Sequence, residues 1–186
     1  MASEVLKRVP WRPLGWGAAA ALLILPFVAM QVTREVSWTA SDFIAFGVML
    51  LAVGLPLELV ARASSNWYYR GAAALALLGA FLTVWANLAV GIVGSEDNVQ
   101  NQGFFMIVAA AAACAFTARL GAPGMARAML AVAGMQALLG AAIATAPITA
   151  RVEPKGPLGV LALSGGFVAL WLVSAALFQR SARQSA

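Results

Sequence analysis

Few residues in this chain are equipped for chemistry, and most of those lie inside apolar runs. Glu58 is the charged residue within such a run, just after Pro56 and four residues before Arg62. A carboxylate inside a bilayer is costly, so one reading makes Glu58 a proton or cation site in a helix loosened by proline. The other reading follows from its shallow depth. The carboxylate snorkels to the interface and pairs with Arg62 in the favourable Glu-before-Arg order. Two amides lie deeper. Gln136 falls about 17 Å into its run at 1.5 Å per residue, and Asn87 shares a helical face with Gly91 and Gly94 at i, i+4, i+7 spacing. Glycines on that face allow helices to approach closely, and an amide there bonds across the contact. The alternative is a polar path or small-ligand pocket lined by Asn87 and Gln136. Thr83, Thr117, Thr145, Ser164 and Ser174 complete the polar set at depth.

The most polar segment runs from Gly94 to Gln102 and contains Ser95, Glu96, Asp97, Asn98 and Asn101. Carboxylates and amides are the hard oxygen ligands that calcium or magnesium prefers, but the spacing fits no EF-hand and two carboxylates make a poor cage. The same residues serve as turn and cap formers, with Asn98 or Asn101 capping the next helix and Glu96 and Asp97 favouring its positive end. Capture of a partner or substrate is a third use for the loop. On the opposite side, Arg62, Trp67, Tyr68, Tyr69 and Arg70 form an aromatic and basic loop suited to anchoring on anionic lipid or receiving a partner.

Several chemistries are excluded by residue counts. There is no histidine, so His-ligated haem, His-based zinc sites and His general-base catalysis are not available. The single cysteine, Cys114, forms no internal disulfide or multi-Cys metal site. It reads as a small hydrophobe. Ser164-Gly165-Gly166 has the glycine-flanked serine of intramembrane proteases, but without a histidine base it reads as a helix contact. No cofactor and no metal site is expected, and an enzyme acting on a lipid-like substrate, with Glu58 or the Glu96–Asp97 pair as acid and base, is the least favoured function.

The elements that must position these residues are membrane helices. Of 186 residues, 62% are apolar and 10% charged, with mean hydropathy +0.87. A soluble surface usually needs about 25% charged residues. Apolar runs span about 14–32, 41–61, 71–93, 103–120, 125–146 and 158–178, each long enough to cross a hydrocarbon core of about 30 Å. Short connections make sequential helices antiparallel neighbours. The fold class is therefore all-α: a polytopic membrane protein, a six-transmembrane-helix up-down bundle forming one membrane domain.

Local signals refine the ends. Thr39 and Asp42 read as a capping box. Arg119, Gly121 and Pro123 read as a cationic last turn, a glycine cap and a stop. Pro26 and Pro56 are expected to kink their helices. Lys7, Arg8 and Arg12 ahead of an apolar stretch resemble a signal peptide, but the stretch is long and no Ala-x-Ala site follows it, so a retained first helix is expected.

The net charge of +5 follows membrane sidedness and not nucleic-acid binding. Lys7, Arg8, Arg12, Arg62, Arg70, Arg119, Arg127, Arg180 and Arg183 fall in the terminal segments and even-numbered loops. Only Arg34, Arg151 and Lys155 fall in the odd-numbered loops. That split predicts that both termini are cytoplasmic. Glu35, Asp42, Glu96, Asp97 and Glu153 all lie on the outer side. Trp11, Trp16, Trp67, Tyr68 and Tyr69 at the inner interface, with Trp38 and Phe104 at the outer one, form the aromatic belt.

The stretch from Val84 to Asn98, containing Gly91-Ile-Val-Gly-Ser-Glu-Asp-Asn98, and the stretch from Ala118 to Ala128 resemble an uncharacterised family of small bacterial inner-membrane proteins. The resemblance is strongest over about residues 66–139. It implies a bacterial cytoplasmic membrane and brings no activity with it. The resulting expectation is a non-catalytic accessory or structural subunit that contacts lipid and partners, as a homo-oligomer or within a larger membrane complex. The alternative is a channel or facilitator for a small neutral solute or cation.

Overall fold

A computed structural model describes residues 11–184. Lys7 and Arg8 of the charge count, and the side chain of Trp11, lie outside the described residues. Seven α-helices and one 3₁₀ turn occur among them, with no strand: α1 Trp11–Val32, α2 Ala40–Ala63, α3 Trp67–Ala89, the turn Val99–Asn101, α4 Gln102–Thr117, α5 Ala122–Thr145, α6 Thr149–Val152 and α7 Gly156–Gln184. Six of these segments are long and apolar enough to cross a membrane. The chain divides into two units, residues 1–63 and 64–186.

The first unit is a helical hairpin. Trp16 lies across Gly54 and Leu23 reaches Gly47, so α1 and α2 run antiparallel. Pro26 and Pro56 sit inside helices that continue through them as single elements. The Asp42 carboxylate accepts from the Thr39 N–H at 2.7 Å and from its hydroxyl at 2.8 Å. This is the half of a capping box in which the third helical residue reaches back to the cap. Trp38 sets its edge against Phe43 and Phe46 beside the turn. Few side chains of the hairpin are buried, and Leu22, Ile24, Phe27, Ile44, Val48 and Leu55 are exposed.

The second unit closes a ring of four long helices, with α7 packed between α3 and α5 and α4 bridging the same two on the other side. α3 and α5 therefore stand at opposite corners. Asn66 opens α3: its side chain accepts from the Tyr68 and Tyr69 N–H groups at 2.9 and 3.2 Å, a strong N-cap. The helix accordingly begins at Trp67, a turn earlier than the apolar pattern predicts. It also ends earlier, at Ala89. Gly91 and Gly94 lie beyond it with φ of +74° and +68°, so the expected shared helical face of Asn87, Gly91 and Gly94 does not form. The end of α4 differs too. Arg119 and Leu120 take the left-handed conformation there, while Gly121 is the extended N-cap of α5 and Pro123 lies in that helix's first turn. Proline is well placed at that point because its missing N–H would have no partner there.

The core of this unit is made by Phe104, Met129, Val132, Val160, Trp171 and Phe178. At one end, Ile92, Val93, Phe104, Ile143, Val160 and Phe167 form an apolar cluster beneath the long loop. At the other, Tyr69 meets Phe178 edge to face at 5.1 Å and its hydroxyl donates to the Leu120 carbonyl. Arg70, Arg119, Arg180 and Arg183 share that second end, opposite the acidic loop. The α3–α7 pair is tied at depth by the Ser174 hydroxyl, which donates to the Ala72 carbonyl at 2.8 Å.

Candidate functional site

Three polar groups stand out from the apolar helices, and each is built differently. In the hairpin, Glu58 is buried and surrounded by donors. Arg62 binds one carboxylate oxygen through Nε at 3.0 Å and an Nη at 2.8 Å, Arg12 forms an ion pair with the same oxygen, and Trp16 Nε1 donates to the other at 3.2 Å. Gly54 makes this possible, because a Cβ there would meet the Trp16 ring at 3.0 Å. The Glu58–Arg62 pairing expected from their i, i+4 spacing is present. Arg12 and Trp16, one turn apart on α1, complete the group, and no local spacing in the sequence points to them as partners of Glu58. The carboxylate thus ties α1 to α2 through Arg12 and Trp16.

The loop after α3 is organised by a single side chain. Asn101 is buried, with Oδ1 accepting from the Ile92 and Val93 N–H groups at 3.2 and 2.9 Å. Its Nδ2 donates to the carbonyls of Val93 and Ser95 at 3.3 and 2.7 Å. Asn98 caps the 3₁₀ turn, accepting from the Gln100 N–H at 3.0 Å. Glu153 reaches across to accept from the Gly94 N–H at 3.0 Å, a contact that no local pattern encodes. A Cβ at Gly91 would lie 2.5 Å from the Ser95 backbone, so only glycine fits that bend. The expected asparagine cap of α4 does not form: Asn98 caps the 3₁₀ turn ahead of it, and Asn101, at the N-cap position of α4, makes no cap bond and clamps the loop instead. Ser95, Glu96 and Asp97 are left exposed at the tip. Among the described residues no group of three His, Cys, Asp or Glu side chains is placed to hold a metal.

The third group is the interior of the four-helix unit. Thr83, Asn87, Gln136, Ser164 and Ser174 are all buried there. Thr83 donates to the Gly79 carbonyl at 2.8 Å and Asn87 Nδ2 to the Thr83 carbonyl at 2.7 Å. Asn87 Oδ1, both amide atoms of Gln136, Ser164 Oγ and Trp171 Nε1 find no hydrogen-bond partner among the described residues. Asn87 and Gln136 are thus both interior, on diagonally opposite helices, and no hydrogen bond joins them. Trp171 carries no signal in the sequence, because a tryptophan in an apolar run looks like core or belt and its N–H stands out only through its burial.

The aromatic segment separates into two parts. Trp67 and Tyr68 are exposed, as an anchor requires. Arg70 donates to the Ser64 carbonyl at 2.7 Å and stands over the Trp67 ring, while Tyr69 is held by Leu120 and Phe178. Arg62 belongs to the Glu58 group. No protein-family model matches the chain, and no curated protein or solved structure matches it.

Proposed function

We propose that this chain is a non-catalytic, multi-pass subunit of the bacterial cytoplasmic membrane that acts through helix contacts with further copies or a partner within the bilayer. One observation carries the reading: the outward face of α7. Ala162, Gly166, Ala169, Val173 and Ala176 follow one another there at spacings of four and three, all exposed. Gly165 and Gly166 have nothing near the position a Cβ would take. Lipid tails are as apolar as leucine, so membrane helices associate by close packing, and small residues are what allow the backbones to approach. The exposed Trp67 and Tyr68, beside Arg70, fit an interfacial anchor on lipid headgroups. The split of basic and acidic residues between the two ends supports termini on the cytoplasmic side.

The polar groups of the hairpin and the loop support a structural role, since Glu58 and Asn101 are occupied in holding their own elements. The test is Gly166→Leu in the full chain, followed by native electrophoresis in mild detergent. Loss of the assembled species with an unchanged helical spectrum is the expected result. Assembly of the same size as in the natural chain would remove the α7 face from the account.

A further inference from the structure

We propose that the interior of the four-helix unit is a binding site for a small uncharged molecule that both donates and accepts hydrogen bonds, held by Asn87, Gln136, Ser164 and Trp171. The four side chains are 2%, 0%, 3% and 1% exposed, and each carries a polar atom that no other group of the described chain satisfies. Their levels along the bundle follow from two contacts between helices. Gly140 of α5 lies against Ser164, since a Cβ there would come within 2.5 Å of Oγ. A Cβ on Gly79 of α3 would lie 3.5 Å from the Trp171 ring. α7 runs antiparallel to both helices. One turn back from Gly140 therefore places Gln136 between the levels of Ser164 and Trp171, and two turns on from Gly79 place Asn87 level with Ser164. All four fall within about two turns, roughly 11 Å, of bundle length.

The unmet groups define the ligand. Asn87 Oδ1 and Gln136 Oε1 are acceptors, Trp171 Nε1 and Gln136 Nε2 are donors, and the Ser164 hydroxyl is either. A molecule satisfying them needs both functions in a small volume, which describes water or a urea-like amide. A cation or anion does not fit. No charged side chain is among the buried residues of this unit, and an ion without a counter-charge in such surroundings is far more costly than a neutral solute. The site also explains why these positions are polar at all. In a membrane interior each unmet group costs several kcal/mol, whereas an apolar residue of the same size costs nothing. This inference is independent of the association face on α7.

The test uses the full chain in lipid nanodiscs, with ¹⁵N-labelled glutamine and magnetisation transfer from water read at the side-chain amides. The Gln136 resonance is assigned by its loss in Gln136→Leu, or in Gln136→Asn should the leucine variant not fold. Transfer from water to the Gln136 amide, comparable with that to the exposed amide of Gln102, is expected. Addition of ¹³C-urea then identifies the occupant: urea cross-peaks replacing those of water point to a small amide, and unchanged water cross-peaks to water itself. A Gln136 amide that receives magnetisation only from protein protons, with and without urea, would overturn the proposal.

Discussion

Replacing Gly140 with valine is expected to lower the stability of the four-helix unit by about 3 kcal/mol, the upper part of the range for forcing extra volume into a tight helix contact. A Cβ at this position would lie 2.5 Å from Ser164 Oγ and 2.6 Å from Ser164 Cβ. Rotating the hydroxyl relieves the first contact but leaves the second, so α5 and α7 must move apart. Even Gly140→Ala is expected to destabilise. Alanine is favoured over glycine in a helix by about 1 kcal/mol, but the clash costs about 1–3 kcal/mol and outweighs it. Adding Ser164→Gly removes both offending atoms and is expected to restore most of the loss in the alanine variant. Thermal unfolding followed by tryptophan fluorescence measures all three chains. A Gly140→Val protein that melts with the natural one would show that α5 and α7 do not touch at this level.

The second large effect belongs to the loop. Asn101→Ala removes one acceptor that serves the N–H groups of Ile92 and Val93 and one donor that serves the carbonyls of Val93 and Ser95. Ile92 and Val93 are 5% and 0% exposed, so their freed amides are poorly placed to recruit water. At about 1–3 kcal/mol for each buried group left unmet, with partial rescue at the loop surface, the expected cost is about 3–5 kcal/mol. Asn101→Asp keeps the shape but turns a donor into an acceptor against two carbonyls, and is expected to fare no better at neutral pH. Amide hydrogen exchange at Ile92 and Val93 checks this directly: both should lose protection in either variant. Protection equal to that of the natural chain would mean that the loop is held by something other than Asn101.

The features legible in the sequence are those written within a few residues of one another. Six apolar runs give six long helices because a helix satisfies its own backbone within each run. The Glu58–Arg62 pair and the Thr39–Asp42 cap were readable because their partners sit four and three positions apart. What escaped is long-range or depends on one competing group. The run Val90-Gly-Ile-Val93 looks like the continuation of α3. Its backbone is instead captured by Asn101, and two glycines provide the bend. The Arg12 and Trp16 contacts to Glu58, and the Glu153 contact to Gly94, join segments more than forty residues apart, which no local pattern encodes. In the interior, Asn87 and Gln136 were conspicuous as amides among alanines and leucines. That their polar atoms lack partners required the packing of all four helices.

The most direct test of the membrane-subunit reading is native mass spectrometry of the full chain, extracted in mild detergent from the membrane in which it is made. A species larger than one chain is expected, either several copies or this chain together with a different protein. In the Gly166→Leu variant that species should give way to the single chain. A natural protein that appears only as one chain carrying lipid would contradict the account and leave the small-residue face of α7 without a function.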